Sequence, residues 1–180
     1  MKRTSIWLMI FALLGVAPAA AESPEAKQAP KAKQAQDKQP KVIRQAADGE
    51  LLLHARDVVI HGTTVRYEPQ PHKNTVGYWT RLEDWVSWDF ELSQPGAFQV
   101  EILQGCGKGS GGAEVEFSVG GQTLKTTVKD TGGFQNFLPR DIGEFRLEKP
   151  GRYTLSVKPT TKPGVAVMDL RQVKLTPVKK

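Results

Sequence analysis

The chain has 180 residues, 39% of them hydrophobic and 24% charged, with a net charge of +6 and one cysteine. One cysteine excludes an intrachain disulfide framework, and no apolar run approaches the roughly 20 residues that a membrane-spanning helix needs. Lys2 and Arg3 contribute two units of the net charge and residues 22–47 a net three, so 48–180 keeps only +1, too little for the basic face that a nucleic acid would require.

Lys2-Arg3 precede an apolar run over 6–16 and then Ala19-Ala20-Ala21, the three-part pattern of a secretory signal peptide at 1–21, cleaved after Ala21. The protein is therefore expected to be exported, periplasmic or extracellular, with no membrane span after signal removal. Residues 22–47 are nearly all Glu, Lys, Gln, Ala, Pro and Asp, with Val42 and Ile43 as the large apolar exceptions. Such a segment buries too little surface to offset its ordering entropy, and Pro24, Pro30 and Pro40 interrupt any helix. It reads as a disordered linker, either a solvated spacer or a cationic tether able to adhere loosely to an acidic polysaccharide.

From 48 to 180 the length suits one domain, and the dominant signal is a period of two. Val86, Trp88, Phe90 and Leu92 share one face of a strand, with Ser87, Asp89 and Glu91 on the other. The same alternation returns in Phe98, Val100 and Ile102, in Val115, Phe117 and Val119, and in Tyr153, Leu155 and Val157. It predicts strands over 51–60, 64–68, 85–92, 97–103, 114–119, 122–128, 143–147, 152–158 and 165–176. Turn residues separate them, and Gly120-Gly121 suits a tight two-residue hairpin. The fold class is all-β, a β-sandwich or jelly roll.

Catalytic and metal chemistry find little support. His54, His61 and His72 lack the spacing of a zinc site, and Cys106 has no histidine partner in the sequence. No Gly-x-Ser-x-Gly elbow occurs. The run from Gly107 to Gly112 matches Gly-x-Gly-x-x-Gly, but a strand rather than a helix follows it, so no pyrophosphate site is expected. Asp89, Glu91, Glu101, Glu114 and Glu116 occupy the polar positions of alternating strands and read as solvated faces. Trp88 and Phe90 are expected in the core, with Trp85 on the opposite face. Because adjacent residues of an extended chain point opposite ways, at most one of Tyr78 and Trp79 can line a given cleft.

Taken in order, Gly77-Tyr78-Trp79, Glu83-Asp84-Trp85-Val86-Ser87-Trp88, Gln94-Pro95-Gly96-Ala97-Phe98, Val119-Gly120-Gly121-Gln122, Thr131-Gly132-Gly133-Phe134, Lys149-Pro150-Gly151-Arg152-Tyr153 and Met168-Asp169-Leu170 resemble the family 6 and family 35 carbohydrate-binding modules. They are also similar to accessory sandwich domains of some bacterial fucosidases and sulfatases. The resemblance implies a galactose-binding-like jelly roll that is not an enzyme and holds a polysaccharide or glycan in a cleft at the rim, between two aromatic side chains. Carried over by position, the aromatics are Tyr78 and Phe134, the latter where the family usually has tryptophan, and Met168 stands at the family's asparagine. Asn136, Arg81 and Trp79 are expected as substitute ligand contacts, and Trp85, which matches a structural tryptophan of the family, is expected to pack under a loop. Asp169 matches one acid of the family's structural calcium site, but His54 and Arg56 replace the first-strand acids, so neither calcium nor any other metal or cofactor is expected. The alternative is a structural sandwich that has lost the cleft and serves an exported protein partner.

Overall fold

The structure, a computed structural model, describes residues 41–179; the expected signal peptide, 1–21, and residues 22–40 of the expected linker lie outside them. In chain order the strands are β1 (Ile43–Arg44), β2 (Leu51–His54), β3 (Val59–His61), β4 (Arg66–Glu68), β5 (Thr75–Gly77), β6 (Trp85–Leu92), β7 (Gly96–Cys106), β8 (Glu114–Val119), β9 (Gln122–Thr127), β10 (Gly133–Leu147), β11 (Gly151–Pro159) and β12 (Asp169–Pro177). One sheet runs β1-β6-β11-β8-β9, with β3 also paired to β6; the other runs β10-β7-β12-β5-β4, with β2 on β12. Together they form the expected all-β jelly-roll sandwich.

Alternation builds the core. Val86, Trp88, Phe90 and Leu92 from one sheet and Phe98, Val100, Ile102, Val173 and Leu175 from the other belong to a single buried cluster. Each such side chain contributes about 1.5–3 kcal/mol relative to exposure. The Trp88 indole N–H donates to the His54 carbonyl at 2.9 Å, so this large core residue is also satisfied as a donor. Gly120 and Gly121 take φ of 57° and 79°, the two positive values that a type I′ hairpin between β8 and β9 demands.

Four expected boundaries change. The predicted strand 51–60 divides at a 3-10 turn (Ala55–Asp57), where the chain leaves β12 for β6 and so switches sheets. The strand expected at 143–147 begins at Gly133, because two register shifts against β7 break the alternation that would have revealed it. The strand expected from 165 starts at Asp169, and β5 was not anticipated. The linker was read through residue 47, yet Ile43 pairs with Phe90 and packs on the core. The Gln45 side-chain oxygen accepts from the Ser93 and Gln94 backbone N–H groups at 3.0 and 2.7 Å. Val42 and Ile43, the large apolar residues of that segment, sit at this junction and mark where burial begins to offset ordering.

Candidate functional site

β5 ends at Gly77, and Tyr78 follows with φ of +53°, a left-handed backbone uncommon for a bulky residue. The twist sends consecutive aromatics in opposite directions: Tyr78 is 49% exposed, whereas Trp79 is fully buried. The Trp79 indole N–H donates to the Asp84 carbonyl, and its own carbonyl accepts from the Val167 N–H, both at 2.8 Å. Trp79 is therefore a core anchor that fastens the segment preceding β12, which corrects its expected role as a ligand contact.

Phe134 lines the same cavity as Tyr78, from the irregular start of β10, where Gly133 pairs with Cys106 before the register slips. Its backbone closes onto β7 at Gly105, where any Cβ would collide with the Phe134 carbonyl; its ring lies 2.5 Å from where a Gly107 Cβ would stand. Two glycines thus admit the aromatic wall.

The floor comes from strand ends. Asp169 opens β12 and Glu68 closes β4. In β12 the pairing with β7 slips between Leu170 and Gln172, and this bulge at Arg171 rephases the strand so that Leu170 enters the core while Asp169 faces the cleft. The cavity measures about 310 Å³, with Tyr78, Phe134, Glu68, Lys73, Gln135 and Asp169 around it and Val165 and Ala166 along one edge. That volume lies at the small end of the range for small-molecule sites, about 300–1,000 Å³.

Two carboxyl groups, 6% and 4% exposed, dominate the floor. Glu68 Oε1 takes the Lys73 ammonium at 2.7 Å, a bond that raises the lysine further above its ordinary range. Glu68 Oε2 and Asp169 Oδ1 converge beside Gly77: a Cβ there would stand 2.5 and 3.0 Å from them. Asp169 Oδ2 has only the Gln135 amide, at 3.5 Å. Burial first, and the Glu68 charge second, push the Asp169 carboxyl up to about 7.

Arg171, on the bulge, braces the wall. Its guanidinium donates to the His72 carbonyl at 2.9 Å and, through Nε at 3.0 Å and Nη2 at 2.6 Å, to the Lys73 carbonyl, and it lies 3.7 Å from the Phe137 ring centroid. Replacing Arg171 with alanine should cost about 1–2 kcal/mol and speed amide exchange over 69–74. Hydrogen-exchange mass spectrometry checks this, and unchanged protection of that loop would refute it.

Of the residues expected at the site, Tyr78 and Phe134 border the cavity and the others do not. Arg81 is exposed, 3.5 Å from Glu83. The Asn136 amide donates to the Thr131 carbonyl. Met168 is fully buried and offers the cleft nothing. Trp85 lies not under a loop but on the outer sheet face, stacked on His61 with centroids 3.6 Å apart and Lys158 Nζ 4.3 Å above its ring. At the matched calcium position, His54 pairs with Gln172, three residues along β12 from Asp169, and its Nδ1 accepts from the Arg56 N–H. Cys106 is buried, and burial pushes its thiol up to about 11, so it stays protonated at neutral pH. Glu68, Lys73 and Gln135 were missed: nothing local marks them, since the cleft joins segments about 100 residues apart in the chain.

No curated protein matches this chain. Among solved structures, a family 35 carbohydrate binding module from Clostridium thermocellum aligns with a TM-score of 0.59 at 13% identity, over 72% of this chain and 98% of that one. The module CBM6cm-2 of Cellvibrio mixtus lichenase 5A, solved in complex with cellotriose, aligns at 0.55 and 17% identity, over 71% and 97%. The GH26-CBM35 β-(1,4)-mannanase of Podospora anserina aligns at 0.56 and 16% identity, over 74% of this chain but 28% of the enzyme. These similarities establish the fold that the sequence motifs had suggested. A family model matches residues 61–179, and the chain belongs to that family, described as a domain of unknown function, DUF5077.

Proposed function

We propose that the domain is a non-catalytic glycan-binding module, with the ligand seated in the cleft between Tyr78 and Phe134. The carrying observation is the cavity itself: aromatic walls over a floor of buried polar groups, on a fold shared with carbohydrate-binding modules. A sugar presents apolar C–H faces and donating hydroxyls, and this lining offers rings for the former and carboxylate and amide oxygens for the latter. An open cleft supports this reading over a sandwich whose cleft has been lost.

Calorimetric titration of the full chain against neutral, amino and acidic oligosaccharides tests the proposal. Tyr78→Ala should weaken binding of any responding glycan by at least about tenfold. Its thermal midpoint should barely move, since half of Tyr78 is already in solvent. Binding that survives Tyr78→Ala would place the ligand elsewhere, and release of shortened products would make the protein an enzyme.

A further inference from the structure

Three charged residues line the cleft: Glu68, Lys73 and Asp169. The lysine is committed to Glu68 Oε1 at 2.7 Å, which leaves Asp169 without a paired cation among them. Two other cations lie nearby and neither lines the cavity: Arg66 stacks 3.5 Å from the Tyr78 ring centroid, and Arg171, whose charge also reaches Asp169, is held by the His72 and Lys73 carbonyls. Asp169 is 96% buried, with a relative exposure of 4%, and it faces the cavity. Its Oδ1 accepts no hydrogen bond among the described residues, while Oδ2 has only the distant Gln135 amide. No buried side-chain oxygen or nitrogen among the described residues lacks a partner, so Oδ1 is open to the cleft, where a donor from outside the chain can reach it.

The walls favour the same chemistry. The Tyr78 ring already draws cations, with Arg66 3.5 Å and Lys73 Nζ 5.7 Å from its centroid, and Phe134 adds a second ring to the lining; an aromatic face attracts an ammonium as well as a sugar C–H face. A carboxylic acid on the ligand would meet Asp169 and Glu68 as a like charge, and an acetamide would replace a cation by a neutral, bulkier group in a small cavity.

Resting on the glycan reading above, we infer that the cleft selects an amino sugar with a free, protonated amine, which pairs with the open Asp169 carboxyl between the two aromatic walls. The ammonium supplies the cation that the chain withholds from Asp169, and the sugar ring fills the space beside Tyr78. Glu68, already bound to Lys73, adds an acceptor through Oε2.

The test compares short β-1,4-linked oligomers of glucosamine, N-acetylglucosamine and glucose by calorimetry near pH 7, on the full chain and on Asp169→Asn. The glucosamine oligomer should bind about tenfold or more tighter than the other two, because only it forms a charge-assisted contact. Asp169→Asn should reduce that preference to about twofold or less while keeping the fold, as judged by its thermal transition. If the glucose or N-acetylglucosamine oligomer binds as tightly, and Tyr78→Ala removes it, the amino-sugar inference fails and the glycan cleft stands. Should no oligosaccharide of any class bind, both fall together.

Discussion

Asp84→Ala should lower the unfolding free energy by about 3 kcal/mol or more, because the carboxylate is the common acceptor for an entire loop. It accepts from the Thr63 N–H at 3.0 Å, the Thr64 N–H at 2.8 Å, the Thr64 hydroxyl at 2.7 Å and the Val65 N–H at 2.9 Å, while being only 2% exposed. Removing it strands backbone donors in the interior. Burial by itself would push this carboxyl up, but the Thr64 hydroxyl and the three N–H groups outweigh it and hold it at about 2. The folded value thus lies below the ordinary 3.8, so the stability it contributes is complete above pH 3.8 and is lost as pH falls toward 2. That contribution is on the order of 2 kcal/mol. Urea denaturation at pH 7 and at pH 3 measures both effects; a variant within about 0.5 kcal/mol of the parent at pH 7 would refute the account. The consequence reaches the cleft, because the Asp84 carbonyl also receives the Trp79 indole and Trp79 follows Tyr78 in the chain.

The core was legible in the sequence because its cause is local. Alternation in 86–92 or 115–119 is visible within a window of seven residues, and Trp88 and Phe90 are buried as that pattern requires. The opposed directions of Tyr78 and Trp79 were expected from alternation, but β5 ends at Gly77 and the left-handed backbone at Tyr78 produces them instead. The cleft floor was hidden for the complementary reason. Asp169 faces the cavity only because a bulge at Arg171 rephases β12, and a bulge leaves no mark in the hydrophobic pattern beyond an irregularity. Glu68 and Lys73 lie in a polar stretch that reads as a surface loop, and their meaning appears only when Arg171 binds the loop carbonyls at positions 72 and 73. Resemblance supplied Tyr78 and Phe134 by position, but it also supplied Met168, whose side chain is sealed in the core.

Asp169 behaves as the inverse of Asp84, and Asp169→Asn is expected to stabilise the protein at alkaline pH. Both aspartates are almost fully buried, but Asp84 faces three backbone N–H donors whereas Asp169 faces another carboxyl group. With a folded value near 7 against an ordinary 3.8, the native state keeps the Asp169 proton across a range where the unfolded chain has released it. The resulting stabilisation is complete below pH 3.8 and disappears as pH rises through about 7, with a full span on the order of 4 kcal/mol. Asparagine has the shape of the protonated acid and carries no charge to desolvate. The variant should therefore equal the parent near pH 4 and exceed it by a few kcal/mol at pH 8, read from paired urea denaturation curves. A parent at least as stable as Asp169→Asn at pH 8 would mean that the carboxylate finds compensation within the chain, and the case for an external cation would go with it. If the predicted gain appears, the native aspartate is costing the fold stability at a position where an amide would serve packing better. A residue that is unfavourable for the unliganded fold and open to a cleft is best explained by what it binds there.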